Sequence, residues 1–349
     1  MSPGGPEPQR GRVTLSDVAT EAGVSVALVS IVVRGVPGAS ADTRRRVLAV
    51  AERLGYRPDQ RARLLRQQRS KLLGVTFGVQ HAFHGELVDR IYQAADLAGY
   101  EVLLSAVTPN RSETRAIDTL RADRCEALIL IGSQLHNAAL ADLGREFPVV
   151  VVTRRLRRPT LDLVDAVHTA DSAGLQLAVD HLVGLGHRRI VHLDGGAAPG
   201  AADRRQGYRA AMKRHRLVDQ SRVIPGGLTE SDGAAATRGL LTSDLPTAII
   251  AFNDDSASGV LDTLLRHGIA VPEQVSVMGY DDSRLARLDH VRLTTIGQDT
   301  AELARLAVQR AIDRLDPTFT ADHELVTTPH LIVRATTAVP PSTHSLASS

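Results

Sequence analysis

Residues 13–34 read Val-Thr-Leu-Ser-Asp-Val-Ala-Thr-Glu-Ala-Gly-Val-Ser-Val-Ala-Leu-Val-Ser-Ile-Val-Val-Arg. Apolar residues recur at helical spacing on both sides of a glycine. Val18, Ala19 and Ala22 share one face of a first helix, and Val29, Val32 and Val33 the inner face of a second. Gly23 permits the sharp bend between them, Val24 fills the corner, and Ser25 offers a side-chain oxygen as cap for the second helix. Val26, Ala27, Ser30, Ile31 and Arg34 are left pointing away from this small core. A third helix is predicted after Ser40, an N-cap residue, through Val47, Val50, Ala51 and Leu54, with Gly55 as its stop. Such a trio makes either a plain helical core or a helix-turn-helix, whose outward positions enter the major groove or touch its phosphates.

Charge separates the two. From Met1 to Lys71 there are 13 Lys or Arg and 6 Asp or Glu, a net of +7, whereas the other 278 residues hold 28 and 33, a net of −5. Arg44, Arg45 and Arg46 open the third helix, and Arg57, Arg61, Arg63, Arg66 and Arg69 follow it. A basic head on an acidic body is the electrostatic footprint of phosphate binding. Cys125 is the single cysteine, which rules out an intrachain disulfide or a cysteine metal cluster and suits a reducing cytoplasm. The first 12 residues are polar and contain no apolar stretch, and no run is long enough for a membrane span, so neither a signal peptide nor a membrane partner is expected. The last residues, from about 339, have the composition of a disordered tail.

Between head and body, Gln60 to Gln68 is helix-forming in composition but too short to hold a helix alone in water. It reads either as a charged linker or as a hinge helix that folds on DNA. Together with it, Val13 to Ala19, Ala22-Gly23-Val24-Ser25, Val29-Ser30, Thr43-Arg44, Leu54-Gly55-Tyr56-Arg57-Pro58, Ala62-Arg63 and Ser70 to Val75 form a long ordered signature. On these residues the chain resembles transcriptional regulators of the LacI (lactose repressor) family. The resemblance implies a dimer on a palindromic double-stranded operator, with DNA contacts at Thr14, Ser25, Val26, Ala27, Ser30, Ile31, Arg34, Ser40, Tyr56, Ala62, Leu65 and Arg66. It also implies that paired hinge helices enter the minor groove, where Leu65 of each subunit wedges into the central base step; Leu64 is the neighbouring alternative.

The recognition helix departs from the polar pattern of many relatives. Val26, Ala27 and Ile31 can neither pair with guanine as Arg or Lys does nor with adenine as Asn or Gln does. The expectation is apolar contact of Ala27 and Ile31 with thymine methyls, with Ser30 and Arg34 on phosphates or a flanking base. The rival is that Ile31 packs internally and the hinge supplies specificity.

The body alternates short aliphatic runs with helical stretches. Strands are predicted at 72–77, 101–105, 128–131 and 149–152, a helix at 86–99, and the pattern restarts with strands at 190–193, 248–251 and 275–278. Two successive halves of this kind imply two lobes of parallel, doubly wound sheet, with a ligand cleft at the carboxyl ends of the strands. The fold class is thus an all-α helix-turn-helix head and an α/β two-lobed core. The resemblance extends to a periplasmic-binding-protein-like core whose chain crosses between lobes near His168 to Asp171, Ile296 to Asp299 and Val326 to His330. The expected organisation is a tail at 1–12, the head at 13–57, a hinge at 58–70, an effector-binding and dimerisation core at 71–338, and a tail at 339–349. The first lobe runs about 71–168 and 299–327, the second about 170–296 and 329–338.

By the same resemblance, effector contacts fall on Phe83, Thr153, Arg204, Asn253, Asp281 and Gln298. On spacing alone either Arg204 or Arg205 is a surface residue; Asp254 and Asp282 read as helix caps, and His81 and His84 as surface histidines that place unusual donors near the cleft. Thr153-Arg154 stands where an Asp-Arg pair is frequent, which removes one acceptor for a sugar hydroxyl. No phosphate-binding glycine loop, metal spacing or catalytic triad is visible, so no enzyme activity, cofactor or metal is expected. The reading is a repressor controlled by a small-molecule effector, with a solute-binding protein or an effector-free DNA-binding protein as alternatives.

Overall fold

Thr14 starts the head. Its hydroxyl accepts from the Asp17 N–H at 3.3 Å while the Asp17 carboxylate accepts from the Thr14 N–H at 2.7 Å, a reciprocal cap for α1 (Leu15–Ala22). Gly23, at φ 64°, ends that helix in the left-handed conformation. Ser25 Oγ accepts from the Leu28 N–H at 3.2 Å to begin α2 (Val26–Val33), and Ser40 Oγ accepts from the Thr43 N–H at 3.3 Å to begin α3 (Ala41–Arg53). Val18, Ala22, Val29, Val32, Val47 and Val50 are buried together, with Val24, Leu54 and Tyr56 packed against them.

The computed structural model describes residues 13–33, 37–56 and 69–341. They divide into two units, one ending at Arg69 and the other beginning at Ser70. Arg34, Ala62, Leu65 and Arg66, most of the expected hinge, and the expected tail at 1–12 lie outside the described residues.

In the second unit, β1 (Leu72–Gly78), β2 (Glu101–Val107), β3 (Ala127–Ile131), β4 (Val149–Val152), β5 (Asp165–Thr169) and β11 (Glu324–Thr327) form one sheet in the order β11-β5-β4-β3-β1-β2, parallel throughout. A second sheet, β12-β10-β9-β8-β6-β7, is built from β6 (Ile190–Asp194), β7 (Arg222–Pro225), β8 (Ala248–Ile250), β9 (Ser276–Asp281), β10 (Thr294–Gly297) and β12 (His330–Ile332); only the β10–β12 pairing is antiparallel. The aliphatic runs of the sequence became strands as expected. Strand β5 was not legible as one because Asp165 and His168 interrupt its apolar run, and β7 because it is a four-residue edge strand ending at Pro225.

Helices cover both faces of each sheet. In the first lobe α4 (Ala82–Leu97) and α11 (Thr300–Asp313) share one core, and α5 (Glu113–Ala122) and α6 (Asn137–Glu146) the other. In the second, α7 (Asp171–Gly184) pairs with α8 (Ala201–Arg214), and α9 (Glu230–Leu241) with α10 (Asp254–Arg266). Helix α4 starts four residues before the expected Glu86, which puts His81 at its N-cap and His84 in its first turn. The chain passes between the sheets after β5, after β10 and after β11.

Glycine lets α9 and α10 pack backbone to backbone. A Cβ on Gly259 of α10 would lie 1.9 Å from the Glu230 carbonyl oxygen, and one on Gly233 of α9 would lie 2.0 Å from that of Ser256. Gly259→Ala therefore forces two backbones apart, and a loss of about 1–3 kcal/mol is expected. Urea denaturation checks this, and an unchanged midpoint would contradict it.

Candidate functional site

Two faces carry chemistry, one on each unit. On the head, the outward side of α2 presents Val26, 45% exposed, and exposed Ala27, beside half-buried Ser30 and Ile31. Ile31 is outside the buried cluster and lies over the turn at Gly38, where a Cβ would be 3.6 Å from its Cγ2. Thr14, Ser25 and Ser40 are exposed N-cap residues, and Tyr56 is half-buried against the core of the head. Arg44 reaches the C-terminal end of α2 and donates to the Val32 carbonyl at 3.5 Å.

The second face is a cleft between the two lobes, enclosing about 550 Å³ of unfilled space with its open mouth. Phe83, Thr153, Arg204, Asn253, Asp281 and Gln298 all line it. Its floor is a buried charge network. Arg204 Nε donates to Asp171 Oδ1 at 2.8 Å and Nη1 to the Phe252 carbonyl at 2.6 Å, and Nη2 is 3.7 Å from Asp281 Oδ1. The guanidinium also lies 3.6 Å from the Tyr280 ring centroid and 4.5 Å from that of Phe252. Arg205 turns elsewhere and pairs with Asp194 at 2.5 Å.

Gln298 ties this floor to the crossovers. Its Nε2 donates to Asp281 Oδ1 at 2.7 Å, and its Oε1 accepts from Thr169 Oγ1 at 2.6 Å. Thr169 Oγ1 in turn lies 3.2 Å from Thr327 Oγ1. Residues beside all three interlobe crossings are thereby joined to the carboxylate that faces the cleft.

Three local expectations change. Asn253, not Asp254, caps α10: its Oδ1 accepts from the Ser256 N–H at 2.8 Å and its Nδ2 donates to the Leu228 carbonyl at 3.0 Å. Asp254 reaches across instead, accepting from Thr295 Oγ1 and the Ser283 N–H, each at 2.7 Å, and so fixes the turn after β9. Asp282 caps no helix, because none follows it; it pairs with Arg334 at 2.6 Å and Arg287 at 3.2 Å. The two histidines are not surface residues. His81 and His84 both line the cleft. His84 Nδ1 accepts from the Gly78 N–H at 3.1 Å, so the proton sits on Nε2, and burial, helped by His81, pushes its pKa down to about 3. The sequence held no signal for this, since the acceptor role comes from a strand end six residues earlier.

The first lobe thus offers neutral groups, His84, Gln134 and Thr153, while the second offers charge. Thr153 holds a φ of 69°, unusual for a β-branched residue. Arg154 is occupied by the Ser133 and Leu135 carbonyls and by Asn137 Oδ1, at 3.1, 2.5 and 2.9 Å. Across the rim, Glu86 of α4 accepts from the Arg284 N–H at 2.5 Å and from Arg287 Nη2 at 3.0 Å, linking the lobes. Burial, and Glu230 nearby, push Asp255 up to about 6 against the Ala82 N–H.

Asp254 gives the second lobe a pH signature. Burial pushes its pKa up to about 7 from 3.8, against the Thr295 and Ser283 donors. The fold holds this proton more tightly than the unfolded chain does, so the stability it contributes is full below pH 3.8 and is lost as pH rises to about 7. Asp254→Asn is expected to flatten the fall in melting temperature between those values relative to wild type. Parallel melting curves across the range would overturn the assignment.

Among the described residues no group of three or more His, Cys, Asp or Glu is placed to hold a metal ion, and no single helix is long and apolar enough to cross a membrane. Cys125 is buried, and burial, with Asp123 adding, pushes its thiol up to about 12.

The family profile described as bacterial regulatory proteins, lacI family, matches residues 14–59, and that of a periplasmic binding protein-like domain matches residues 179–337. The HTH-type transcriptional regulator GalR of Salmonella typhimurium (strain SL1344) is 33% identical over 338 residues, 95% of this chain and 98% of GalR. Catabolite control protein A of Priestia megaterium is 30% identical over 326 residues, 92% of this chain and 97% of the relative. A LacI transcriptional regulator from a Rhodococcus species superimposes with a TM-score of 0.75 at 48% identity, covering 78% of this chain and 100% of that one. The lac repressor dimer bound to operator and the anti-inducer ONPF does so at 0.81 and 28% identity, covering 94% and 99%. A capped three-helix head, a core of two parallel-stranded lobes and a likeness that runs nearly end to end give one conclusion: the chain belongs to the LacI family of DNA-binding transcriptional regulators.

Proposed function

We propose that this regulator is a cytoplasmic repressor, a homodimer on a palindromic double-stranded operator, whose DNA affinity is set by a sugar or related metabolite in the interlobe cleft. It acts by binding and not by catalysis. The observation that carries the reading is the buried Arg204–Asp281 pair at the cleft floor. Burying two charges is costly, and packing alone is better served by apolar side chains. A carboxylate and a guanidinium held side by side suit adjacent hydroxyls, one accepting and one donating hydrogen bonds. The likeness to a lac repressor dimer on its operator and to a transcriptional regulator CelR–cellobiose complex supports the same reading.

Dimerisation has a surface available to it. An apolar groove bounded by α9 and α10 is lined by Leu261, Ile269, Leu285 and Val291, with Leu265 76% and Leu288 37% exposed. A second copy of this chain would cover these leucines and set two heads on one duplex.

On the head, Ala27 and Ile31 contact thymine methyls, Val26 adds apolar surface at the groove edge, and Ser30 and Arg34 hold phosphates or a flanking base. Thr14, Ser25, Ser40 and Tyr56 sit at the duplex backbone, and Ala62, Leu65 and Arg66 serve the hinge in the minor groove. Ligand works by linkage: it must bind one arrangement of the lobes better than the other. Selecting duplexes from a random pool, then challenging the bound fraction with sugars and related metabolites, tests the proposal. Palindromic half-sites rich in A·T pairs, with affinity altered by at least one ligand, are expected. Half-sites dominated by G·C would end the methyl-contact reading, and indifference to the whole panel would end the effector reading.

A further inference from the structure

The cleft does not stop at its charged floor. Gln134, Ala198 and Pro199, which line the inner pocket, also line a second cavity that opens outward and holds about 1010 Å³ of unfilled space with its open side. Arg154, Arg155 and Arg157 follow β4 into its wall, and the start of α8 forms the opposite side.

These cations are not equivalent. Arg154 is tied to Ser133, Leu135 and Asn137. Arg155 lies 3.3 Å from Glu324 and 3.9 Å from Asp203, yet is 49% exposed, so part of its guanidinium faces the opening. Glu324 is shared with His168 at 2.9 Å, which leaves its carboxylate divided between two donors. Arg157 is exposed and makes no ion pair among the described residues. Asp203 is the one acidic residue that lines this cavity among the described residues, against three arginines. Helices α6 and α8 also begin here, at His136 and Gly200, both without a side-chain cap, and add positive potential to a wall that the arginines already make basic.

The inner pocket has the opposite character. Asp281 and Asp255 face it, and the Arg204 guanidinium, the cation at its floor, is held by Asp171, the Phe252 carbonyl and Asp281. The Arg204 charge is already balanced by Asp171 and Asp281, so an acidic group meets no net positive charge there, whereas hydroxyls find a carboxylate and a guanidinium side by side. Inner and outer halves therefore orient a ligand that is polyhydroxylated at one end and anionic at the other.

We propose that the effector carries an acidic group, a phosphate ester or a carboxylate, which leaves the inner pocket between Gln134 and Pro199 and is held at the rim by Arg157 and Arg155. This rests on the cleft being the effector site and adds the charge class of what fills it. Arginine suits either acid, since its planar fork gives two parallel hydrogen bonds.

The test uses the full chain at fixed ionic strength and calorimetric titration. The probes are glucose, galactose and ribose, the phosphate esters glucose 6-phosphate, galactose 6-phosphate and ribose 5-phosphate, and the acids glucuronate and galacturonate. At least one acidic probe is expected to bind about tenfold or more tighter than its neutral parent, the low end for a hydrogen bond to a charged group at a half-exposed site. Arg157→Gln, at an exposed position with no ion pair among the described residues, where folding is not at stake, is expected to remove that advantage, and Arg157→Glu to reverse it. The phosphate and carboxylate arms distinguish the two acids. Neutral sugars binding as tightly as their acids, or an advantage that survives Arg157→Gln, would overturn the proposal and leave the cleft as an effector site. Silence of every probe in wild type would overturn both.

Discussion

Arg204→Ala is expected to lower the stability of the core by about 3–5 kcal/mol, the loss seen when one member of a buried ion pair is removed. Arg204 is 6% exposed, and its removal strips Asp171 of a 2.8 Å donor, the Phe252 carbonyl of a 2.6 Å donor and Asp281 of its nearest cation. Two buried carboxylates are then left facing each other across a void. Burial already raises the proton affinity of Asp281, Arg204 opposes it and Asp254 adds to it, so the variant also takes up protons at a higher pH than wild type. Urea denaturation of the full chain measures the loss, and the double variant Arg204→Met with Asp281→Asn separates charge from packing. That pair of changes removes one carboxylate charge and fills part of the void, so it is expected to recover part of the stability. A loss under 1 kcal/mol for Arg204→Ala would show that water already reaches the pair. The same variant is expected to lose the effector response altogether, because the group that fixes Asp281 is gone.

Val29→Asp is expected to abolish specific operator binding while leaving ligand binding by the core unchanged. Val29 is fully buried at the centre of a small three-helix cluster. A domain of that size buries a modest fraction of its surface and holds only a few kcal/mol of stability. An unpaired carboxylate in such a core costs more than that reserve, so the head unfolds. Operator affinity is expected to fall by about 10³ or more, to the level of non-specific binding. The head and core are separate units, with Ser70 beginning the second, so calorimetric titration of ligand into the variant is expected to match wild type. Operator affinity within tenfold of wild type would mean that the cluster around Val29 does not hold the reading surface together. Val29→Ile, which keeps the apolar contact, serves as the control.

How far the site could be seen in advance varied with the distance over which each group acts. The six effector candidates all reached the cleft, since each stands at the carboxyl end of a strand, in the first turn of the helix that follows one, or at a crossover. Their individual tasks were less legible. Asn253 and Asp254 are neighbours with the same capping propensity, and the choice between them was made by Thr295 and Ser283, more than 25 residues further on. His84 looked like a surface residue because the groups that enclose its ring, the end of β1 and Gly132, come from other elements of the fold. Gly132 would place a Cβ 2.6 Å from the His84 ring, so the absence of a side chain there is what admits the imidazole.

By itself the sequence determined the elements and the class of molecule. Helical periodicity, the caps at Thr14, Ser25 and Ser40, the glycine at the turn and the aliphatic runs are all chemistry between residues a few positions apart, and local backbone hydrogen bonding is enough to express them. The basic head and acidic body were likewise counts that need no coordinates. Tertiary structure decided what the cleft can recognise. Asp171, Arg204, Asp281 and Gln298 meet only because the second sheet sets β9 beside β10 and packs the starts of α7 and α8 against their ends, and the pairing of buried charges depends on distance through space. The same distance dependence leaves Arg157 at the rim with no ion pair among the described residues and occupies Arg154 behind it, a difference that two arginines three residues apart cannot reveal in a sequence.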